Sequence, residues 1–423
     1  MISVLNQGCA ANFGDGEKIA RILSKNHEVR FNLPEAGEGS APEAIYLNVC
    51  TVKGNAGAIK LLRHVLDEFP GSKIYITGCA PKDLREEVAR ITNKVTFTSL
   101  AEIVSRNANA ENEKEIPAQG GDDNGRHTLR ESPFVGIVNI EEGCLDACSF
   151  CSTHLVKGRL HSFSQAHIVE QVSSLVHDGC QEIQLTGQDC ACYGFDTGTN
   201  LAELVQAILV KVPGKYKIRL GMGNPRHMAT YLEPLLDCFT DDRLYQFIHL
   251  PVQSGSDSVL RAMNRKHSVE DYVKLANAFT ERFDRFTLST DIIVGHPGET
   301  QEDFEQTLRL VQQTRPTVCN ITRYVARPGT AAARNDSIPD TVKHERSATL
   351  FETFRQIAEE NNCHWIGTRE TVFIEKPGYR EGTSIARNRA YRPVAIPGNL
   401  AAGQEVQVRI TGAEPFALIA EME

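Results

Sequence analysis

Apolar runs alternate with amphipathic stretches along the first hundred positions. ISVLNQG (2 to 8), EVRFNL (28 to 33), AIYLNV (44 to 49) and KIYITG (73 to 78) read as strands, and residues 15 to 25, 55 to 69 and 81 to 92 carry apolar positions at helical spacing. Strands alternating with helices predict a doubly wound parallel sheet, here an α/β domain over residues 1 to 105. A second series predicts six strands: FVGIVNI (134 to 140), EIQLTG (182 to 187), KIRLG (217 to 221), YQFIHL (245 to 250), FTLSTDIIVG (286 to 295) and VCNITRY (318 to 324). Helical patterns near 165 to 178, 200 to 211, 229 to 239, 269 to 282 and 301 to 313 separate them, which suits an open (β/α)6 partial barrel over 133 to 362. From 363 to 423 the period shortens. TVFIE (371 to 375), YRPVAI (391 to 396), EVQVRI (405 to 410) and FALIAE (416 to 421) are short runs broken by Gly and Pro, and Val406, Val408 and Ile410 alternate with Gln407 and Arg409 as in a half-buried strand. The expectation is a small C-terminal β-barrel. Residues 106 to 132, with the polar stretch NANAENEKEIPAQGGDDNGR (107 to 126), offer too little apolar surface to offset their ordering entropy and read as a linker.

Composition narrows the class. With 423 residues, 41% of them hydrophobic, the chain can bury more than one core. No run approaches the ~18 apolar residues of a membrane span, and Met1-Ile2-Ser3-Val4 opens without a cationic region or cleavage site, so the expected location is cytoplasmic and off the membrane. A net charge of −9 argues against nonspecific coating of nucleic acid but leaves room for a local basic patch. Twelve cysteines in a reducing compartment point to metal ligation or catalysis rather than to disulfides.

Their spacing carries the chemistry. EGCLDACSFC places Cys144, Cys148 and Cys151 in a CxxxCxxC loop after the first barrel strand. Three thiolates can hold three irons of a [4Fe-4S] cluster and leave the fourth open for S-adenosylmethionine (SAM), whereas a structural zinc site normally takes four protein ligands. Cys9, Cys50 and Cys79 each follow a predicted strand, so a parallel sheet would bring them to its carboxyl edge, where such folds bind ligands; taken singly they could equally be core cysteines. Cys180, Cys190, Cys192, Cys238, Cys319 and Cys363 read as structural, although Cys190 and Cys192 follow a strand end near the expected cavity.

NQGCAANFGDGE (6 to 17), NVCTVKGNA (48 to 56), TGCAP (77 to 81), LTGQDCACYG (185 to 194), HLPVQSGSD (249 to 257), STDIIVGHPGETQEDF (289 to 304) and YVARPGT (324 to 330) resemble the methylthiotransferase family of radical SAM enzymes along essentially the whole chain. The resemblance implies an α/β N-terminal domain, a radical SAM partial barrel and a C-terminal RNA-binding barrel of the TRAM type. It implies that Cys9, Cys50 and Cys79 hold an auxiliary [4Fe-4S] cluster beside the radical cluster of Cys144, Cys148 and Cys151. It also carries cofactor or substrate binding to residues at strand ends: Gln188, Asp189, Asn224, Gln253, Ser254, Ser289 and Asp291, with Phe150 near the cofactor's adenine. GHPGE (295 to 299) lacks the Lys-Ser/Thr of a phosphate loop and reads as a barrel turn; His27 and His296 receive no role, the latter standing where the family has an aromatic residue.

In KPGYREGTSIARNRAYR (376 to 392), Lys376, Arg380, Arg387, Arg389 and Arg392 are interleaved with Tyr379 and Tyr391. Cations could meet phosphates while aromatic rings stack on bases, against the plainer reading of a solvated face. The implied reaction uses SAM as methyl donor and as radical source to place a methylthio group on carbon 2 of a modified adenine in tRNA, with a reducing electron donor and a sulfur source that the sequence does not name. LGMGNP (220 to 225) resembles the archaeal and eukaryotic branch acting on N6-threonylcarbamoyladenosine, whose carboxylate Arg226, Arg323 or Arg327 could meet. The lack of a C-terminal membrane anchor suggests the archaeal type. The prenyl-adenosine branch tends to carry Ser-His-Pro there. The branch acting on a ribosomal-protein aspartate tends to show Asp-Ile-Pro-Leu-Gln where this chain has His249-Leu250-Pro251-Val252-Gln253. A non-enzymatic iron–sulfur RNA-binding regulator would need neither the radical triplet nor the cavity set.

Overall fold

The computed structural model describes residues 1–34, 41–50, 55–107 and 129–423, so most of the expected linker lies outside the described residues. The N-terminal sheet has five parallel strands in the order Val29–Arg30, Ile2–Asn6, Ala44–Val49, Lys73–Gly78 and Val95–Phe97. Helices Ala10–Ser24 and Leu100–Asn107 cover one face through Ile19, Leu23 and Ile103; Ala56–Glu68 and Lys82–Ile91 cover the other through Leu62, Val65, Leu84 and Val88. With helices on both faces, the central strand must be apolar on both sides, and Ala44–Val49 is buried throughout. Each large apolar side chain it removes from water contributes about 1.5–3 kcal/mol. The chain reverses direction across the sheet between Ile2–Asn6 and Ala44–Val49, which opens a crevice at their carboxyl ends. Three-residue Val95–Phe97 and the helix after it were too short or too weakly patterned to stand out in the sequence.

The six expected barrel strands are present as two parallel triplets. Val135–Asn139, Glu182–Thr186 and Lys217–Leu220 form the first; Phe247–His249, Thr287–Val294 and Val318–Arg323 form the second. A bridge from Ile218 to Leu244 joins them into one arc. Val138, Ile183, Leu185, Ile218, Leu220, Ile248 and Leu288 face the surrounding helices in one continuous core. Capping boxes at Ser268/Asp271 and Thr300/Asp303 start two of those helices where the pattern predicts them. No helix among the described residues is long and apolar enough to cross a membrane.

Helix Asp340–Cys363 leads into a closed five-stranded barrel whose strands follow one another around it in the order Arg369–Pro377, Thr383–Arg387, Pro393–Pro397, Ala417–Met422 and Glu405–Glu414. Thr383–Arg387 lies inside the stretch read from sequence as a basic stripe, and this corrects that reading. Tyr391, with φ +58°, enters the floor of the partial barrel at the amino ends of its strands: its hydroxyl lies 3.1 Å from Glu182 Oε1, and its ring packs on Tyr245, Phe247 and Arg219. Arg392 is buried and donates to Asn362 and Thr317; Arg387 pairs with Glu375 at 2.8 Å beneath the Tyr391 ring; Arg389 pairs with Asp242 at 2.9 Å. Arg387, Arg392 and Tyr391 therefore build the seam between barrels rather than standing free on a basic stripe. Lys376, Tyr379 and Arg380 keep the outward position: the Tyr379 ring is 90% exposed, with the Lys376 ammonium 5.7 Å from its centroid.

Candidate functional site

Two groups of three thiols flank one seam. In the N-terminal sheet, register sets Val49 beside Gly78, so the next residues, Cys50 and Cys79, leave adjacent strands together. The Cys79 amide donates to the Val49 carbonyl at 2.9 Å. Cys9 joins them from the N-cap of Ala10–Ser24, directly after Gly8, whose added Cβ would fall 2.8 Å from Cys50 Sγ. Gly8 makes this approach possible: at φ +112° a Cβ there would lie 2.1 Å from Cys50 Cβ. The Cys50 thiol beside them lowers the Cys79 thiol and raises that of Cys9, and the Lys157 charge lowers Cys79 further.

Lys157 belongs to Thr153–Lys157, the short helix after the CxxxCxxC loop. It crosses the seam to Asp15 Oδ2 at 2.8 Å and reaches Glu142 Oε1 at 3.1 Å. Burial opposes its charge, but the two carboxylates hold it above the ordinary lysine value. Asn139 donates to Asp15 at 2.9 Å from the end of the first barrel strand. The helix that starts at the first thiol group is thus tied to the helix that follows the second.

On the barrel side, Cys144, Cys148 and Cys151 lie on one partly exposed loop, and no disulfide joins any cysteine among the described residues. Arg265 approaches Cys148 Sγ at 3.7 Å and donates to the Pro251 carbonyl at 2.7 Å, while burial pushes the Cys148 thiol up to about 11. The neighbouring Cys192 thiol lowers that of Cys144. Three clustered thiols with a cation beside each group form a donor set that fits a cluster with one open iron, and compensates part of its negative charge.

The expected cavity residues divide. Gln188 Oε1 accepts the Gly143 amide at 2.7 Å and so fixes the turn before Cys144. Asp189 is buried, accepts the Asn224 amide at 2.8 Å, and is raised by burial. Asn224 donates to Asp146, which Arg226 also reaches at 2.8 Å and His227 at 3.0 Å. Burial works against the Asp146 charge, yet His227 and Arg226 hold it below the usual carboxylate range. Asp291 accepts from His249 at 2.9 Å and Asn320 at 2.8 Å. Gln253 sits at φ +77°, a strained conformation held by backbone bonds to Asp291 and Ile293. Ser289 is buried in its strand and Phe150 is half-buried in the cysteine loop.

Ser254 requires a correction. It is fully buried, and its hydroxyl faces Thr307 and the Ser256 amide, because the adjoining Gly255 packs on helix Gln301–Thr314. It shapes the wall rather than meeting a ligand. Arg323 is exposed at the end of the outer strand and Arg327 is half-buried beyond it, whereas Arg226 reaches into the cysteine loop. Sequence reasoning missed Lys157, Arg265, Asp146 and His227; of these Asp146 gave the usable signal, since it lies inside the CxxxCxxC loop.

Comparison with known proteins is consistent with this layout. Residues 2–99 match Uncharacterized protein family UPF0004, 138–311 the Radical SAM superfamily and 365–422 the TRAM domain. A protein of Archaeoglobus fulgidus named as a probable threonylcarbamoyladenosine tRNA methylthiotransferase is 36% identical over 97% of this chain and 95% of its own length. A Pyrococcus horikoshii protein of the same name is 35% identical over 100% and 99%. The human threonylcarbamoyladenosine tRNA methylthiotransferase is 31% identical over 95% of this chain and 70% of its own. Among solved structures, the radical S-adenosylmethionine methyltransferase TsrM of Kitasatospora setae shares the fold with a TM-score of 0.54 and 13% identity, covering 78% of this chain and 76% of that one.

Proposed function

The chain belongs to the threonylcarbamoyladenosine tRNA methylthiotransferase family of radical SAM enzymes, and on that premise we propose that it replaces the hydrogen on carbon 2 of the adenine in N6-threonylcarbamoyladenosine of a tRNA, beside the anticodon, by a methylthio group. The observation that carries this reading is the seam itself: two three-thiol groups, one on each side, are tied through Asp15 and Lys157 at 2.8 Å. When bound, a [4Fe-4S] cluster on Cys144, Cys148 and Cys151 with SAM supplies the hydrogen-abstracting radical, and one on Cys9, Cys50 and Cys79 supplies the site of sulfur delivery.

The chain's own residues do the rest. Arg265 and Lys157 offset the thiolate charge of the two groups. Asp189, Asn224, Asp146 and His227 present buried or half-buried polar atoms beside the radical loop, where the amino, carboxylate and ribose groups of SAM need partners. His249 and Asp291 present a donor and an acceptor at the barrel mouth. Arg226 can exchange Asp146 for the substrate carboxylate without losing an ionic partner, which favours a threonylcarbamoyl group over a prenyl group that asks for apolar walls. Lys376, Tyr379 and Arg380 meet the RNA outside. A low-potential reductant is a further partner.

Anaerobically reconstituted enzyme offered tRNAs bearing either modification, followed by nucleoside mass analysis, tests the substrate. The expected product is the 2-methylthio derivative of the threonylcarbamoylated nucleoside alone. Methylthiolation of only the prenylated tRNA would overturn it.

A further inference from the structure

Helix Ala10–Ser24 starts at Cys9 and turns one face to the barrel domain. Ala11, Gly14, Asp15 and Lys18 recur there at helical spacing, and each meets a barrel residue. The Ala11 carbonyl accepts from Asn139 at 3.3 Å, and the Lys18 ammonium lies 5.6 Å from the centroid of the Phe163 ring. Gly14 sets the distance, because a Cβ there would fall 2.9 Å from both Asn139 Oδ1 and Ile137 Cγ2. Asp15 sets the direction. Its Oδ1 accepts from Asn139 at 2.9 Å and its Oδ2 from Lys157 at 2.8 Å.

The clasp stands equally far along the chain from both thiol groups. Asp15 follows Cys9 by six residues, and Lys157 follows Cys151 by six. Lys157 is held in turn by Glu142, two residues before Cys144, at 3.1 Å. The side chains of Asp15 and Lys157 are each only 13% exposed. A largely buried ion pair adds little net stability over apolar packing but accepts a narrow range of geometries, which suits alignment better than adhesion. An isosteric amide could not take the place of Asp15. With donors facing both oxygens, an Asn would turn its own NH2 group on Asn139 or on the Lys157 ammonium, and flipping Asn139 to meet it would forfeit the Ala11 bond.

The reaction proposed above spans this seam, since hydrogen leaves carbon 2 of the adenine on the barrel side and sulfur comes from the sheet edge. A displacement of about 1 Å between reacting groups can cost about a hundredfold in rate. We propose that Asp15 is a positioning residue for sulfur insertion: by clasping Asn139 and Lys157 it fixes the sheet edge against the radical loop and so determines how much of the radical chemistry ends in product. The inference rests on the reading of the two thiol groups as cluster sites.

The test compares the full-length parent with Asp15→Asn and with Lys157→Met, which opens the clasp from its other end. Iron content, 5′-deoxyadenosine and methylthiolated nucleoside are measured with tRNA bearing N6-threonylcarbamoyladenosine, and amide hydrogen exchange is followed by mass spectrometry in the cluster-free proteins. Asp15→Asn should hold about eight irons and still form 5′-deoxyadenosine, while product per 5′-deoxyadenosine falls about ten- to a hundredfold. Lys157→Met should lower the same ratio. Exchange should quicken in Ala10–Ser24 and Val135–Asn139 and stay at the parent's rate in the C-terminal barrel. A side chain that merely filled space would be rescued by isosteric Asn, so an unchanged ratio at full iron would overturn the proposal. Loss of iron from both variants would overturn it too, as would a fallen ratio with unchanged exchange, which would place Asp15 in the chemistry itself. A parent that forms no methylthiolated nucleoside would instead reject the function on which the inference rests.

Discussion

The two thiol groups hold the same three donors by opposite means. Cys144, Cys148 and Cys151 come from one loop of eight residues counted inclusively, so their proximity is a property of local backbone. Cys9, Cys50 and Cys79 come from three strand ends and meet only because the sheet has a particular register and order. A one-residue slip between Ala44–Val49 and Lys73–Gly78 would send one thiol to the wrong side of the sheet edge. A local site can survive distortion of its scaffold, whereas a site assembled by topology fails with it.

Removing each group separates them most strongly. With Cys144, Cys148 and Cys151 replaced by Ala, reconstituted protein should fall from about eight irons to about four and lose 5′-deoxyadenosine formation. With Cys9, Cys50 and Cys79 replaced, the same fall in iron should leave 5′-deoxyadenosine formation and abolish sulfur insertion. Full iron in the second variant would remove the edge group from the comparison.

A gentler probe is Gly8→Ala. The added Cβ meets Cys50 and the residue must hold φ +112°, so the edge group should lose its iron while the loop group keeps about four. Retention of both sets would show that the edge tolerates more movement than its close approach implies.

The smallest effect concerns the seam. Glu17 is buried against the Glu131 amide at 3.2 Å, and burial raises it to about 7 from 4.5. Because its folded value lies above its unfolded one, the stability contributed by neutral Glu17 is complete below about pH 4.5 and is lost as pH rises through about 7. Glu131, Arg21 and Arg130 share that environment. Thermal melts of the cluster-free protein from pH 5 to 8 should fall more steeply for the parent than for Glu17→Gln, by at most about 3 kcal/mol. Parallel curves would mean that Glu17 keeps its charge in the seam.

What was legible in the sequence follows the same division. Strands and helices with strong periodicity, and a loop whose chemistry lies in its own spacing, can be read directly. The edge triplet could be placed on strand ends, but its assembly needed a family resemblance. Arg387, Arg392 and Tyr391 were misread because a run of cations and rings looks alike whether it faces water or a neighbouring domain; only the fold reveals Glu182 and Tyr245 waiting opposite. Thr383–Arg387 was hidden inside that run for the same reason. Ser254 was assigned by its place in a motif, and the direction of its hydroxyl depends on a helix fifty residues later. Lys157 and Arg265 carried no local pattern, since their partners lie far away in sequence.

The ring of Tyr391 fills the floor of the central barrel, between Glu182, Tyr245, Phe247 and Arg219. A residue of the terminal barrel thus completes the packing of the central one, so that loss of the Tyr391 ring would disturb both domains at once.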